Sequence, residues 1–182
     1  LRKLIPMKLK LFVLPWRKQL KNFRILSRQY GQFSSIKNWD CVDQEGHKLP
    51  WYTYPAIEFL SQFDFSKSSV LEFGSGNSSI WWAKRCNKLV SVEHNKEWFD
   101  KISTGNNKKS NFDFRFCADD INYCKQSELQ TSSIIIIDGI KRKECAIEFV
   151  NKLNLENSNC SMLVFDNSDW FPATMELIAK KT

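Results

Sequence analysis

One ten-residue stretch, Val70-Leu71-Glu72-Phe73-Gly74-Ser75-Gly76-Asn77-Ser78-Ser79, constrains this chain more than any other. An apolar strand runs into a turn with two glycines, and an amphipathic segment from Ile80 to Cys86 follows. The glycines let the backbone turn tightly and let ligand atoms approach its N–H groups. A second strand, Leu89-Val90-Ser91-Val92, ends in Glu93, 21 residues after Glu72. An acid at the tip of the second strand, about 20 residues on, is where nucleotide-binding α/β folds grip ribose hydroxyls. A glycine turn after a strand is common by itself, but with the acid at this spacing it marks a nucleotide or nucleoside site.

The rest of the chain alternates in the same way. Residues 95–102 read as a helix, 103–110 as a turn-rich break and 112–116 as a third strand of alternating aromatic and polar residues. Residues 121–129 read as a helix or irregular turn. Residues 133–138 contain four successive isoleucines, the composition of a strand buried on both faces. A helical stripe over 141–153, a fifth strand over 160–165 and a last helix from near Pro172 to Lys181 complete the pattern. Upstream, 31–46 reads as a loop. A helix over 56–63 has Pro55 in its first turn and Thr53 or Tyr54 near its cap. The aromatic loop before it, with Trp51, Tyr52 and Tyr54, is a candidate lid. Strands alternating with helices predict an α/β fold with a mostly parallel sheet covered on both faces, its ligand site at the carboxyl ends of the strands. Each strand ends in an acid: Glu72, Glu93, Asp119, Asp138 and Asp166. Five acids on one rim point to that rim as the site.

Length and charge divide the chain. Its 182 residues suit one core-bearing domain. Residues 1–39 hold ten Lys or Arg and no acid, which leaves 17 basic against 20 acidic residues, a net of −3, in the remainder. The basicity therefore belongs to an arm, residues 1–48, partly helical and interrupted by Pro6 and Pro15. Such an arm either solubilises the domain or touches an anionic surface. The domain itself spans 49–182. No apolar run is long enough to cross a membrane, and Leu9 to Trp16 makes a poor signal peptide because of Lys10 and Pro15. Six cysteines without C-x-x-C or Cys/His spacing read as free thiols of a reducing, cytoplasmic compartment.

The acid-x-Gly-x-Gly turn, with Ser79 where a dinucleotide fingerprint needs its third glycine, resembles motif I of the class I S-adenosylmethionine-dependent methyltransferases. That resemblance covers roughly residues 50–180 and implies a Rossmann-like, doubly wound fold. It implies that Glu72, Gly74, Ser75 and Gly76 form the methionine end of the cofactor site, that Glu93 holds the ribose with His94 flanking it, and that Asp119 or Asp120 contacts the adenine. Asp138-Gly139-Ile140-Lys141 and Asp166-Asn167 resemble the metal-dependent catechol O-methyltransferase branch. In that branch Asp138, Asp166 and Asn167 bind magnesium, a hard cation suited to such oxygens. Asp138 and Lys141 become the catalytic pair, the lysine taking the acceptor's proton with a lowered pKa. In the alternative without a metal, Asp138 and Asp166 line the acceptor pocket, Asn167 and Ser168 cap the last helix and Lys141 is a helix-surface lysine. The family's last antiparallel strands are missing from the pattern. That expectation leaves an edge strand open to pairing with another chain, hence a possible homo-oligomer.

The resemblance implies methyl transfer to a small-molecule acceptor, at oxygen. A nucleic-acid methyltransferase would fit the basic arm. However, it lacks the Asp/Asn-Pro-Pro-aromatic motif after the fourth strand, and no cysteine stands there for cytosine chemistry, so a nucleic-acid partner is not expected. Ser79 argues against a nicotinamide oxidoreductase. A non-catalytic binding module of the same fold remains as the other class; it predicts poor cofactor binding by an intact fold.

Overall fold

The computed structural model describes residues 7–105, 110–153 and 159–181. Five strands, β1 (Ser69–Phe73), β2 (Lys88–Glu93), β3 (Phe112–Phe116), β4 (Ile134–Ile137) and β5 (Met162–Phe165), form one sheet in the order β3–β2–β1–β4–β5. Every pairing is parallel. The order reverses beside β1, so the crevice at the carboxyl ends of β1, β2 and β4 is the topological switch point where such sheets bind ligands.

Alternation along the strands makes two cores. Leu71, Phe73, Val90, Val92, Ile135 and Ile137 face one side with Tyr123 and Phe149. Val70, Leu89, Ile134 and Ile136 face the other with Trp81, Trp82, Leu60 and Phe65. Successive strand residues point to opposite faces, so a strand covered on both faces must be apolar throughout. This is why the four isoleucines of β4 are all at most 1% exposed. Each contributes about 1.5–3 kcal/mol by burial. The covering helices are α3 (Tyr54–Leu60), α4 (Asn77–Ala83), α5 (Lys96–Gly105), α6 (Asp120–Cys124), α7 (Arg142–Leu153) and α8 (Pro172–Ala179), preceded by α1 (Met7–Arg24) and α2 (Gln32–Asn38).

Four sequence expectations need correction. Residues 31–46 are not all loop: α2 starts after Gly31, whose φ of 67° reverses the chain, a position where glycine avoids a Cβ penalty. Pro15 does not end α1, which continues into a π-helical turn, Ile25–Gln29. Helix α3 begins earlier than expected, with the Thr53 hydroxyl accepting the Ala56 N–H at 3.4 Å. Of the break expected over 103–110, residues 103–105 belong to α5, and residues 106–109 lie outside the described residues.

The part of the expected arm at Asp40 and Cys41 touches the domain. Asn77 Nδ2 donates to Asp40 Oδ1 at 2.6 Å and to the Cys41 carbonyl at 2.9 Å, and Cys41 is buried. This segment is thereby tied to the start of α4. At the other edge β5 is only half-buried, and among the described residues no strand follows it. None of the six cysteines is joined in a disulfide, and no helix among the described residues is long and apolar enough to cross a membrane.

Candidate active site

A cavity of about 720 Å³ opens at the carboxyl ends of β1, β2 and β4, within the usual range for small-molecule sites. One wall is the glycine turn, Gly74, Ser75 and Gly76. A second is the end of β2, with Glu93, His94 and Asn95, and the neighbouring helix α5 through Trp98. A third is Asp138, Gly139 and Ile140 after β4, and the mouth is formed by Trp39, Asp40, Lys48 and Trp51.

The turn needs its first glycine for two reasons. Gly74 has φ +90°, and a Cβ there would stand 2.5 Å from the Gly139 Cα. Reciprocally, a Cβ on Gly139 would stand 2.8 Å from the Gly74 nitrogen and 2.0 Å from the Tyr123 hydroxyl. The ends of β1 and β4 therefore meet backbone to backbone. Gly76 is different: its φ of 179° is open to any residue, and a Cβ would meet nothing within 4 Å. Its missing side chain keeps the cavity wall clear.

Glu72 is not at that wall. It is fully buried beneath the turn, where Ser78 Oγ donates to one carboxylate oxygen and Ser79 Oγ and Ser91 Oγ to the other. The strand register sets Ser91 directly beside Glu72. Burial pushes the carboxyl from its ordinary 4.5 to about 7, against the opposing effect of the three hydroxyls. Ser79, at the place of a third glycine, also accepts the Gly76 N–H at 3.0 Å. The methionine-end role expected of Glu72 is thus replaced by an internal one, holding the turn from below.

Glu93 does reach the cavity, and it also builds the turn. Its Oε2 accepts the Ser75 N–H at 2.9 Å, and its Oε1 accepts the His94 and Asn95 N–H groups at 2.9 and 2.8 Å. A carboxylate offers about four acceptor positions, so one on Oε2 remains for a ligand hydroxyl. His94 Nδ1 lies 3.0 Å from Glu93 Oε1 without hydrogen-bond alignment, a buried nitrogen with no partner. Trp98 Nε1 donates to the Ser75 carbonyl at 2.5 Å and fixes α5 to the turn.

Asp119 and Asp120 are not brought to the cavity. Asp119 caps α6, its Oδ1 accepting the Asn122 N–H at 2.7 Å, and Asp120 pairs with Lys141 at 2.9 Å on the surface. The adenine contact expected of either finds no support in their positions. Lys141 departs further from expectation. It is exposed, its backbone is left-handed at φ 51°, and Asp120 raises its pKa where the acceptor-side role required a lowered one. It does not line the cavity.

The expected magnesium set is spanned by an arginine. One guanidinium nitrogen of Arg142, Nη2, donates to Asp138 Oδ1 at 3.1 Å. The other, Nη1, donates to Asp166 Oδ2 at 3.1 Å and Asn167 Oδ1 at 2.9 Å. Arg142 also donates to the carbonyls of Asp166, Gly139 and Asp138 at 2.6, 3.0 and 3.2 Å. The three expected ligand side chains converge on a fixed monovalent cation, and they do not fit a magnesium ion while it stands there. Asn167 has a left-handed backbone, φ 53°, where the chain leaves β5. Burial first, and then the Asp166 carboxylate, pushes the Asp138 carboxyl above the usual carboxylate range, with Arg142 opposing. Of the three, only Asp138 lines the cavity.

The sequence reading therefore found Gly74, Ser75, Gly76, Glu93, His94 and Asp138 at one cavity and missed Arg142, Ser91 and the segment from Asn38 to Lys48. In that segment Trp39 stacks on Trp51 at 6.1 Å and 18°, and Lys48 pairs with Asp40. Of the expected lid residues Trp51 lines the cavity, whereas Tyr52 does not and Tyr54 packs against Tyr30 with the rings tilted by 49°. The one available sequence signal for Arg142 was its place beside Lys141, directly after the Asp138-Gly139 turn.

No family model and no curated protein matches the chain. A crystal structure of a methyltransferase-like protein from Silicibacter pomeroyi DSS-3 superposes with a TM-score of 0.52 over 73% of this chain and 80% of that one, at 14% identity. The chain has the Rossmann-like α/β fold of a methyltransferase-like protein.

Proposed function

We propose that the protein is an S-adenosylmethionine-dependent methyltransferase that acts on an oxygen of a small molecule without a metal. The observation that carries this reading is a cavity lined together by the glycine turn Gly74–Gly76, Glu93 and Asp138. The residues suit a nucleoside-bearing cofactor. Gly76 leaves open space where any other residue would place a Cβ. Glu93 retains an acceptor position for a ribose hydroxyl, and His94 has a buried nitrogen without a partner. When bound, S-adenosylmethionine supplies a methyl group made electrophilic by its sulfonium.

The chain's own residues do the rest. The turn and Glu93 fix the cofactor's orientation, which matters because in-line alignment is the main requirement of methyl transfer. Asp138 accepts the proton of the acceptor hydroxyl. A buried carboxylate with a raised proton affinity is a better base at neutral pH than an ordinary one. Arg142 holds Asp138 and Asp166 in place and balances one of their charges.

Calorimetric titration with S-adenosylhomocysteine tests the reading. Saturable binding unaffected by a chelator is expected, weakened by about 1–3 kcal/mol in Glu93→Ala, where a charged hydrogen-bond acceptor is lost. No binding by the cooperatively folded protein would favour the non-catalytic module instead.

A further inference from the structure

The fold leaves one helix uncovered, and its chemistry is two-sided. In α1, residues 13–24 are all exposed. Val13, Trp16, Leu20 and Phe23, spaced i, i+3, i+7 and i+10, share one face and are 38%, 64%, 61% and 58% exposed. Arg17, Lys21 and Arg24, spaced i, i+4 and i+7, share the adjoining face. The apolar surface does not stop with α1. A groove of about 430 Å³ lined by Leu20, Phe23, Arg24, Ser27, Arg28 and Phe33 joins it to α2. There Phe33 and Ile36 are again about 60% exposed, and Trp39, 79% exposed, reaches the cavity mouth.

We propose that this surface docks the protein onto an anionic lipid bilayer, with α1 lying in the plane of the interface. The charge supports that occupant. Residues 1–39 carry ten basic residues and no acid, while the remainder is net negative, so the arm is attracted to a surface that repels the domain. The aromatic and aliphatic stripe separates a bilayer from a nucleic acid, because a phosphate backbone engages Lys and Arg and leaves exposed Leu, Val and Phe in water. A Trp/Phe/Leu face beside a Lys/Arg face is the pattern of interfacial helices. A second copy of the chain is disfavoured by the like charge it would bring to the same face. Because the surface runs to Trp39, docking sets the cavity mouth beside the lipid.

Co-sedimentation of the full chain with phosphatidylcholine vesicles, with and without phosphatidylserine, tests the proposal. Binding is expected only with phosphatidylserine. Trp16→Ser/Leu20→Ser and, separately, Arg17→Ser/Lys21→Ser/Arg24→Ser should each release the protein, the second by roughly fivefold per charge removed. All five positions are exposed, so the fold tolerates both sets. No binding to the anionic vesicles overturns the proposal. Binding that survives Trp16→Ser/Leu20→Ser also overturns it, since charge alone would then account for the contact. A lipid-free dimer dissolved by Trp16→Ser/Leu20→Ser would assign the stripe to a second copy instead.

Discussion

Replacing Glu72 by Gln isolates a carboxyl buried completely in the fold. In the wild type, the folded state holds the Glu72 proton up to about pH 7, whereas a free carboxyl releases it near 4.5. Between those values the native state binds more protons than the unfolded one, so stability falls as pH rises through the window. A difference of about 2.5 units at 1.36 kcal/mol each makes the loss roughly 3 kcal/mol, complete above about pH 7. The three serine hydroxyls offset the cost of burial only in part. Glu72→Gln removes the ionisation and keeps an acceptor for the hydroxyls. Its stability relative to wild type should therefore improve by roughly 3 kcal/mol between pH 4.5 and 8. Urea unfolding followed by circular dichroism across that range measures the difference, and subtracting the two proteins cancels the other titrating groups. Parallel stability curves would refute the reasoning, for they would mean that Glu72 titrates alike folded and unfolded. Because Glu72 does not line the cavity, the variant should bind S-adenosylhomocysteine as wild type does.

Arg142→Met should destabilise the protein by about 3–5 kcal/mol, the consequence of leaving two partly buried carboxylates without their cation. The loss should shrink in acid as Asp138 protonates, and the variant should gain Mn²⁺ binding, read by electron paramagnetic resonance, that the wild type lacks at these residues. Asp138→Asn should abolish turnover while leaving S-adenosylhomocysteine affinity unchanged. Under the methyltransferase reading Asp138 is the base, so wild-type turnover should rise with pH through a value above the ordinary carboxylate range, to which its pKa is raised. Lys141→Ala should leave turnover and its pH profile as they are, because the lysine's partner is the exposed Asp120.

What the sequence made legible follows from short-range patterning. Strand β4 was readable because burial on both faces demands an unbroken apolar run, and the turn was readable because Gly74 has no substitute at φ +90°. The helix α2 was not, since Gln32-Phe33-Ser34-Ser35 carries no cap and its start depends on the reversal at Gly31. Within the site, an acid at a strand tip could be located but its partner could not. Ser91 meets Glu72 only through the β1–β2 register, and Arg142 meets Asp166 and Asn167 across a separation of 24 and 25 residues. Between Lys141 and Arg142 the deciding factor is direction. The left-handed backbone at Lys141 sends its side chain to Asp120, and the next residue turns into the rim.

The acidic rim consequently has a different meaning from the one its sequence suggests. Glu72 is satisfied by hydroxyls, Glu93 and Asp119 by backbone N–H groups, and Asp138 and Asp166 by one guanidinium. Five carboxylates at strand ends are thus a bracing system first, and only Glu93 and Asp138 also face the cavity. Under the methyltransferase reading this moves acceptor recognition. A magnesium ion would bind a diol directly and make the diol the specificity element, whereas a guanidinium already engaged by six oxygens has nothing left to offer a substrate. Selection of the acceptor then falls to the remaining groups at the mouth, Trp39, Lys48 and Trp51. These come from the segment ahead of the sheet, carried on the same chain as the exposed helix α1. Variation in that segment should change which acceptor is used while leaving cofactor affinity, set by the turn and Glu93, untouched.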